Sequence, residues 1–346
     1  MKNFLIILLV ILILGIGAYF GWSYFKGKDE VIQVSKNKEF IWGVSMYPFA
    51  ADHVYIQKNW ISQLALAKNL NVDYVRIKWD DAAYTDPKAN LEFHDKFLKE
   101  IFNQKLGLYL ILEPDQDLKK MDNAYEEGYQ TASRVASFYK GKIDYYQLMN
   151  ESASNAIKGP QYSGEKESDY DPVLYPIVRD WIKGASAAIE KEDPSAKRVV
   201  TDQWTHYAFF DMLEKDGIDY DVLGWDWFSD MGLMGDKKLS SGQTILEKLQ
   251  SFGKPVILAE VNARPNKNGQ DEEKQSNYIQ AMADWAKQQK LAGFFVHVLT
   301  DATSRDFKTV DRYGLVKIEK NEKERFIIGT PRKAYQTYKE IIEKYK

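Results

Sequence analysis

Eight short apolar runs, each followed by a longer stretch with helical spacing, predict an α/β protein built as a (β/α)₈ TIM barrel. Three observations carry that prediction. The runs are nearly continuous in apolar residues, as parallel strands buried on both faces must be. The alternation repeats eight times from residue 39 onward. The turn after the first run, GVSMYPF, lacks the glycine pattern that announces an open dinucleotide-binding sheet.

The predicted strands are FIWGVSM (40–46), DYVRIKW (73–79), LGLYLILE (106–113) and IDYYQLM (143–149), then RVVTDQW (198–204), DYDVLGWDW (219–227), PVILAEV (255–261) and GFFVHVL (293–299). Helical spacing is clearest over residues 59–70, 92–105, 172–192, 273–290 and 331–345. Two strand-to-helix loops are long, 152–171 and 300–330, and long loops on that face of a barrel build clefts. The Lys/Glu-rich stretch 317–325 reads as a solvated hairpin.

Ahead of the barrel, Phe4 to Phe25 carries no charge, and its length is close to the ~20 residues of a membrane-spanning helix. The expected organisation is an N-terminal anchor over 1–25, a polar tether over 26–38 and the barrel over 39–346. The bilayer is then a partner through residues 4–25, with the barrel exported. A cleaved signal peptide is the competing reading, but Gly15 and Gly17 make a poor cleavage site.

Composition narrows the function. A net charge of −3 without a long basic run gives no nucleic-acid footprint. The absence of cysteine excludes disulfides and thiolate metal sites, and the four histidines show no ligand spacing, so neither metal nor cofactor is expected. The oligomeric state is open.

Acidic residues gather at the predicted strand ends: Asp80, Asp81, Glu113, Asp115, Glu151, Asp226, Glu260 and Asp301. Most should cap helices or meet water. Glu151 and Glu260 differ because they end the fourth and seventh strands, on facing walls of an eight-stranded ring. Retaining glycoside hydrolysis needs two carboxyls about 5–5.5 Å apart. Glu260 sits within the apolar PVILAEV, where a carboxylate needs a partner, and Arg76 on the second strand is the candidate. A purely structural ion pair is the alternative.

Asn150-Glu151 at the fourth strand, Glu260 at the seventh and Arg76 in the second together resemble the retaining β-glycosidases of glycoside hydrolase clan A, over residues 39–346. DRYGLVKI (311–318) ahead of PRKAYQTYKEI (331–341) is similar to that clan's closing segment. The resemblance implies Glu151 as general acid/base, Glu260 as nucleophile, Asn150 on the sugar 2-hydroxyl and Arg76 supporting Glu260. Departures occur at GWDWFSD (224–230), which offers no phenol, and at FFVHVLTDA (294–302), where His297 stands near a position commonly held by Trp.

Trp79, Trp204, Trp225 and Trp227 fall at strand ends, where an indole can stack on a pyranose or simply fill core; Tyr47 has the same two readings. His206 and His297 are candidate contacts to sugar hydroxyls. The expected function is hydrolysis of an oligo- or polysaccharide. A non-catalytic carbohydrate-binding or scaffold barrel and an envelope-polymer transglycosylase are the alternatives.

Overall fold

The computed structural model describes residues 38–48, 59–79, 87–303, 310–320 and 326–346. The expected anchor, the tether before Lys38, and Asp80 and Asp81 lie outside the described residues. Among the described residues no helix is long and apolar enough to cross a membrane.

The elements alternate as Ile41–Met46 (β1), Trp60–Asn69 (α1), Tyr74–Lys78 (β2), Pro87–Asn103 (α2), Gly107–Leu112 (β3), Ala124–Phe138 (α3), Tyr145–Leu148 (β4) and Leu174–Glu192 (α4). They continue as Lys197–Gln203 (β5), Ala208–Lys215 (α5), Val222–Phe228 (β6), Ile245–Ser251 (α6), Val256–Asn262 (β7), Glu272–Gln288 (α7) and Gly293–Val296 (β8). Two short pairs, Ala302–Thr303 (β9) with Val310–Asp311 (β10) and Val316–Lys320 (β11) with Phe326–Pro331 (β12), precede Lys333–Tyr345 (α8). The antiparallel β11–β12 pair brackets the predicted hairpin. Every predicted strand is present, and β1 to β8 form a closed barrel in sequence order.

Local chemistry sets several helix starts. Asn123 caps α3 through Glu126 N, Asp271 caps α7 through Lys274 N, and Thr244 with Glu247 forms a reciprocal capping box on α6.

Strand side chains alternate between the barrel interior and the helix layer. Ile41, Tyr74, Tyr109, Val199, Val222, Ile257 and Phe295 fill the lower interior. Gly43 is required at this level, because a Cβ there would sit 2.1 Å from the Phe295 ring. Above it the interior turns polar with Ser45, Arg76, Gln147, Thr201, Asp226 and Glu260, all buried. The outward positions, such as Trp42, Val44, Val75, Ile77, Trp225 and Trp227, join the main core beneath the helices.

The ring closes where β1 meets β8, with Gly43 opposite Phe295. Tyr338 of α8 lies over this seam; its Oη donates to Gly43 O at 2.8 Å and lies 3.1 Å from Phe294 O. Asp301, one of the strand-end acids, is structural: it takes both guanidinium nitrogens of Arg332 at 2.7 Å and the Gly314 N–H at 2.9 Å, tying the eighth loop to α8. Tyr338→Phe removes a buried donor at the seam and is expected to cost about 1–2 kcal/mol in urea denaturation. An unchanged midpoint would show that the hydroxyl adds nothing to closure.

Candidate active site

Arg76 occupies the centre of the polar layer with about 1% of its surface exposed. Its guanidinium reaches three strands. Nη1 donates to Glu260 Oε1 at 2.6 Å, Nη2 to Asn150 Oδ1 at 2.7 Å and Nε to Gln147 Oε1 at 3.0 Å. Nη1 also lies 3.4 Å from Ser45 Oγ. Burial disfavours its charge, but the Glu260 carboxylate, foremost among the neighbouring groups, outweighs that and holds its pKa above the ordinary arginine value.

Glu260 receives a second partner on its other oxygen: His297 Nδ1 is 3.0 Å from Oε2. Tyr47 Oη lies 3.3 Å from the same nitrogen. Burial alone would raise the Glu260 pKa. His297 and Arg76 overcome it and hold the carboxyl at about 2. Phe228 and Tyr313 pack on the His297 ring with centroids 5.7 and 5.5 Å away. Tyr313, from the eighth loop, thus brings a phenol to a mouth whose sixth strand supplies none.

Glu151 follows β4 in a tight backbone turn. Met149 (φ 70°) and Glu151 (φ 44°) are both left-handed, a conformation that ordinary side chains adopt only under constraint. Neighbours supply that constraint. Asn150 N donates to Glu113 Oε1 at 3.1 Å and Glu151 N to Thr201 Oγ1 at 3.2 Å. Asp202 accepts from Ala153 N and from Ser154 N, anchoring the turn that follows. Among the described residues the Glu151 carboxylate takes one hydrogen bond, from Gln203 Nε2 to Oε2 at 2.8 Å. Burial, then the charges of Glu260 and Asp202, raise its pKa to about 7 against the pull of Arg76 and His206.

Asn150 directs its side-chain oxygen at Arg76 and Gln147, each at 2.7 Å. Its amide nitrogen makes no hydrogen bond among the described residues and is available to a ligand hydroxyl. Beside the Glu151 turn lies a cavity of about 350 Å³ lined by Glu113, Gln116, Asp117, Met149, Asn155 and Leu174, among others.

The structure therefore brings together Arg76, Asn150, Glu151, Glu260, His297 and Tyr47. The tryptophans go elsewhere. Trp79 is 2% exposed and stacks on His94 at 3.9 Å; Trp225 and Trp227 are fully buried. Trp225 packs on Phe210, and Trp227 donates its N–H to Gly232 O. Strand parity is the reason: with Arg76 and Asp226 inward, residues at odd spacing from them point into the helix layer. Trp204, also outward, is half-buried, stacked on Trp227, with Lys237 Nζ 3.7 Å from its ring centroid. None of the three buried indoles is a sugar platform. His206 is likewise no open sugar contact: its Nδ1 lies 2.6 Å from Asp202 Oδ1 and only 8% of the residue is exposed.

Gln147, Thr201, Gln203 and Asp202 were not singled out from sequence as site residues. Gln147, Thr201 and Gln203 are polar residues two apart from inward strand positions such as Tyr145 and Val199, and that alternation is a usable signal.

Among the described residues no group of three or more His, Cys, Asp and Glu side chains is arranged to hold a metal ion.

The architecture is that of the (β/α)₈-barrel proteins, and solved structures share it across nearly the whole chain. The β-glucosidase from Thermotoga maritima bound to a methoxycarbonyl-substituted glucoimidazole superposes with a TM-score of 0.66 at 12% identity, covering 89% of this chain and 98% of that one. The same organism's family 1 β-glucosidase gives 0.65 at 12% over the same shares. The AHE enzyme from Alicyclobacillus herbarius gives 0.64 at 14%, over 90% of this chain and 99% of that one. At such identities the likeness is one of fold. No family model and no curated protein matches the sequence.

Replacing Arg76 by Met strands a buried carboxylate and is expected to destabilise the barrel by about 3–5 kcal/mol at neutral pH. Because Glu260 has a depressed pKa, the pair's contribution is present above the unfolded value, ~4, and is lost as pH falls toward 2. Denaturant curves of the two proteins should therefore converge in acid; a pH-independent gap would mean that charge pairing is not the cause.

Proposed function

We propose that this protein is a retaining β-glycoside hydrolase, with Glu260 as nucleophile and Glu151 as general acid/base. The observation that carries the reading is the opposite tuning of the two glutamates. Glu260, flanked by Arg76 and His297, sits at about 2 and is ionised; Glu151, buried beside other carboxylates, sits at about 7 and keeps a proton at mildly acidic pH.

The chemistry follows from those states. Glu260 attacks the anomeric carbon as Glu151 gives its proton to the departing glycosidic oxygen, leaving a glycosyl ester on Glu260 and a carboxylate at Glu151. That carboxylate then takes a proton from water as the water oxygen bonds the anomeric carbon and the ester bond breaks. The open Asn150 amide is placed to donate to a sugar hydroxyl, while Tyr47 and His297 flank the nucleophile. Tyr313 adds a further ring to that wall.

Two supports come from outside the pair. The similar proteins from Thermotoga maritima are β-glucosidases, one of them in complex with deoxynojirimycin. The cavity of about 350 Å³ lined by Glu113, Met149 and Asn155, residues that flank the Glu151 turn, has room for a sugar residue, which supports an oligo- or polysaccharide over a simple glycoside. In the same proposal the uncharged run 4–25 anchors the barrel to a membrane as a single-pass helix, with the catalytic domain outside the cytoplasm.

The decisive experiment is intact mass and peptide mapping after incubation with a panel of fluorinated mechanism-based glycosides. A stable adduct on Glu260 is expected; an adduct on another carboxyl would overturn the role assignment, and none with any sugar would count against glycoside cleavage. The pH profile is a second check. With one group ionised above about 2 and the other protonated below about 7, kcat/KM should rise through the first value and fall above the second. Activity that keeps increasing beyond neutral pH would remove Glu151 as the acid.

A further inference from the structure

Asp226 is a buried carboxyl that the two-glutamate mechanism does not use. It lies on β6 in register with Glu260 on β7. Its exposed surface is 0%, and among the described residues neither carboxyl oxygen has a hydrogen-bond partner. Buried carboxylates normally gather donors, since an ionised one without them is costly. Here the donors are aimed elsewhere.

The titratable groups that act most strongly on Asp226, or it on them, include Arg76 from β2, Tyr109 from β3, Glu151 after β4, Asp202 from β5 and Glu260 from β7. Arg76 is the one cation in that set. Its guanidinium is directed to Glu260, Asn150, Gln147 and Ser45, and makes no hydrogen bond to Asp226. Gln147 Nε2, another nearby donor, goes to Asn150 and Thr201.

We propose that Asp226 is a positioning residue held as an uncharged carboxylic acid, which leaves the charge of Arg76 undivided for Glu260. Burial first, then the neighbouring Glu260, push its pKa well above the aspartate range, in accord with the geometry. Were Asp226 to ionise, it would compete for the guanidinium and oppose the Glu260 charge from the adjacent strand. The site then works only while Asp226 keeps its proton. The effect on Glu260 rests on the glycosidase reading above; the charge state of Asp226 does not.

Asp226→Asn has nearly the same shape and is permanently neutral, which makes the sign of its effect clear. A carboxyl whose folded pKa is raised contributes stability that is full below the unfolded value, ~4, and is lost as pH rises to the folded value. Across that window the wild-type unfolding equilibrium should shift against the variant's by about tenfold per pH unit. Urea denaturation of both proteins at steps from about pH 4 to about pH 8 reads this directly. A widening ratio is expected, and parallel curves would overturn the proposal.

Infrared spectra of wild-type protein carrying ¹³C-aspartate cover the case in which the variant does not fold. A protonated-carboxyl stretch that moves with the label at about pH 8 is expected, and its absence would overturn the neutral state. Wherever that band disappears on raising the pH, wild-type activity should fall more steeply than the variant's. Coincident limbs through that pH would refute the link to Glu260.

Discussion

The Arg76–Glu260 contact is the constraint from which the rest of the site takes its form. One guanidinium is sealed inside a ring of strands, and its charge must be balanced there. Glu260 takes one edge at 2.6 Å; Asn150 and Gln147 take the others, so that β2, β4 and β7 are bound through a single side chain. Glu151 is excluded from that arrangement. It receives a neutral amide from Gln203 and shares its surroundings with carboxylates, and the opposite pKa shifts of two identical side chains follow from this inequality of partners.

Backbone geometry reinforces it. The two left-handed residues flanking Asn150 cost conformational energy, and the strain persists because Glu113, Thr201 and Asp202 each hold a backbone N–H in the segment. Two of those three holders come from β5. Glu151 is thus placed as much by the neighbouring strand as by its own, and the proposed acid/base role needs such fixed placement through the gain and loss of a proton.

The barrel itself was legible in the sequence, because strands buried on both faces produce long apolar runs that few other structures need. Arg76, Asn150, Glu151 and Glu260 were legible for the complementary reason: each is a polar residue where such a run ends or is interrupted. The indoles kept two readings because position along a strand was read without its parity; taking Arg76 and Asp226 as inward sends Trp79, Trp225 and Trp227 to the helix layer, the core-filling one of the two. Gln203 and Asp202 could not be tied to Glu151 from sequence, since that relation depends on how β4 and β5 lie side by side. The register irregularities between Trp225 and Asp226 and between Leu258 and Val261 likewise come from the folded sheet.

The seam beneath Tyr338 gives this fold a direction in time. Strands one to seven can add to one another in the order in which they are synthesised, but β8 and β1 are joined under a helix that leaves the ribosome after both. β1, the oldest segment of the barrel, therefore pairs with β8, its youngest strand, and the helix that covers the pair is younger still. Arg76 and Glu260, on β2 and β7, both precede that helix in the chain. The last helix of the described chain is thus tied by one hydroxyl to the first strand of the ring and lies against the eighth.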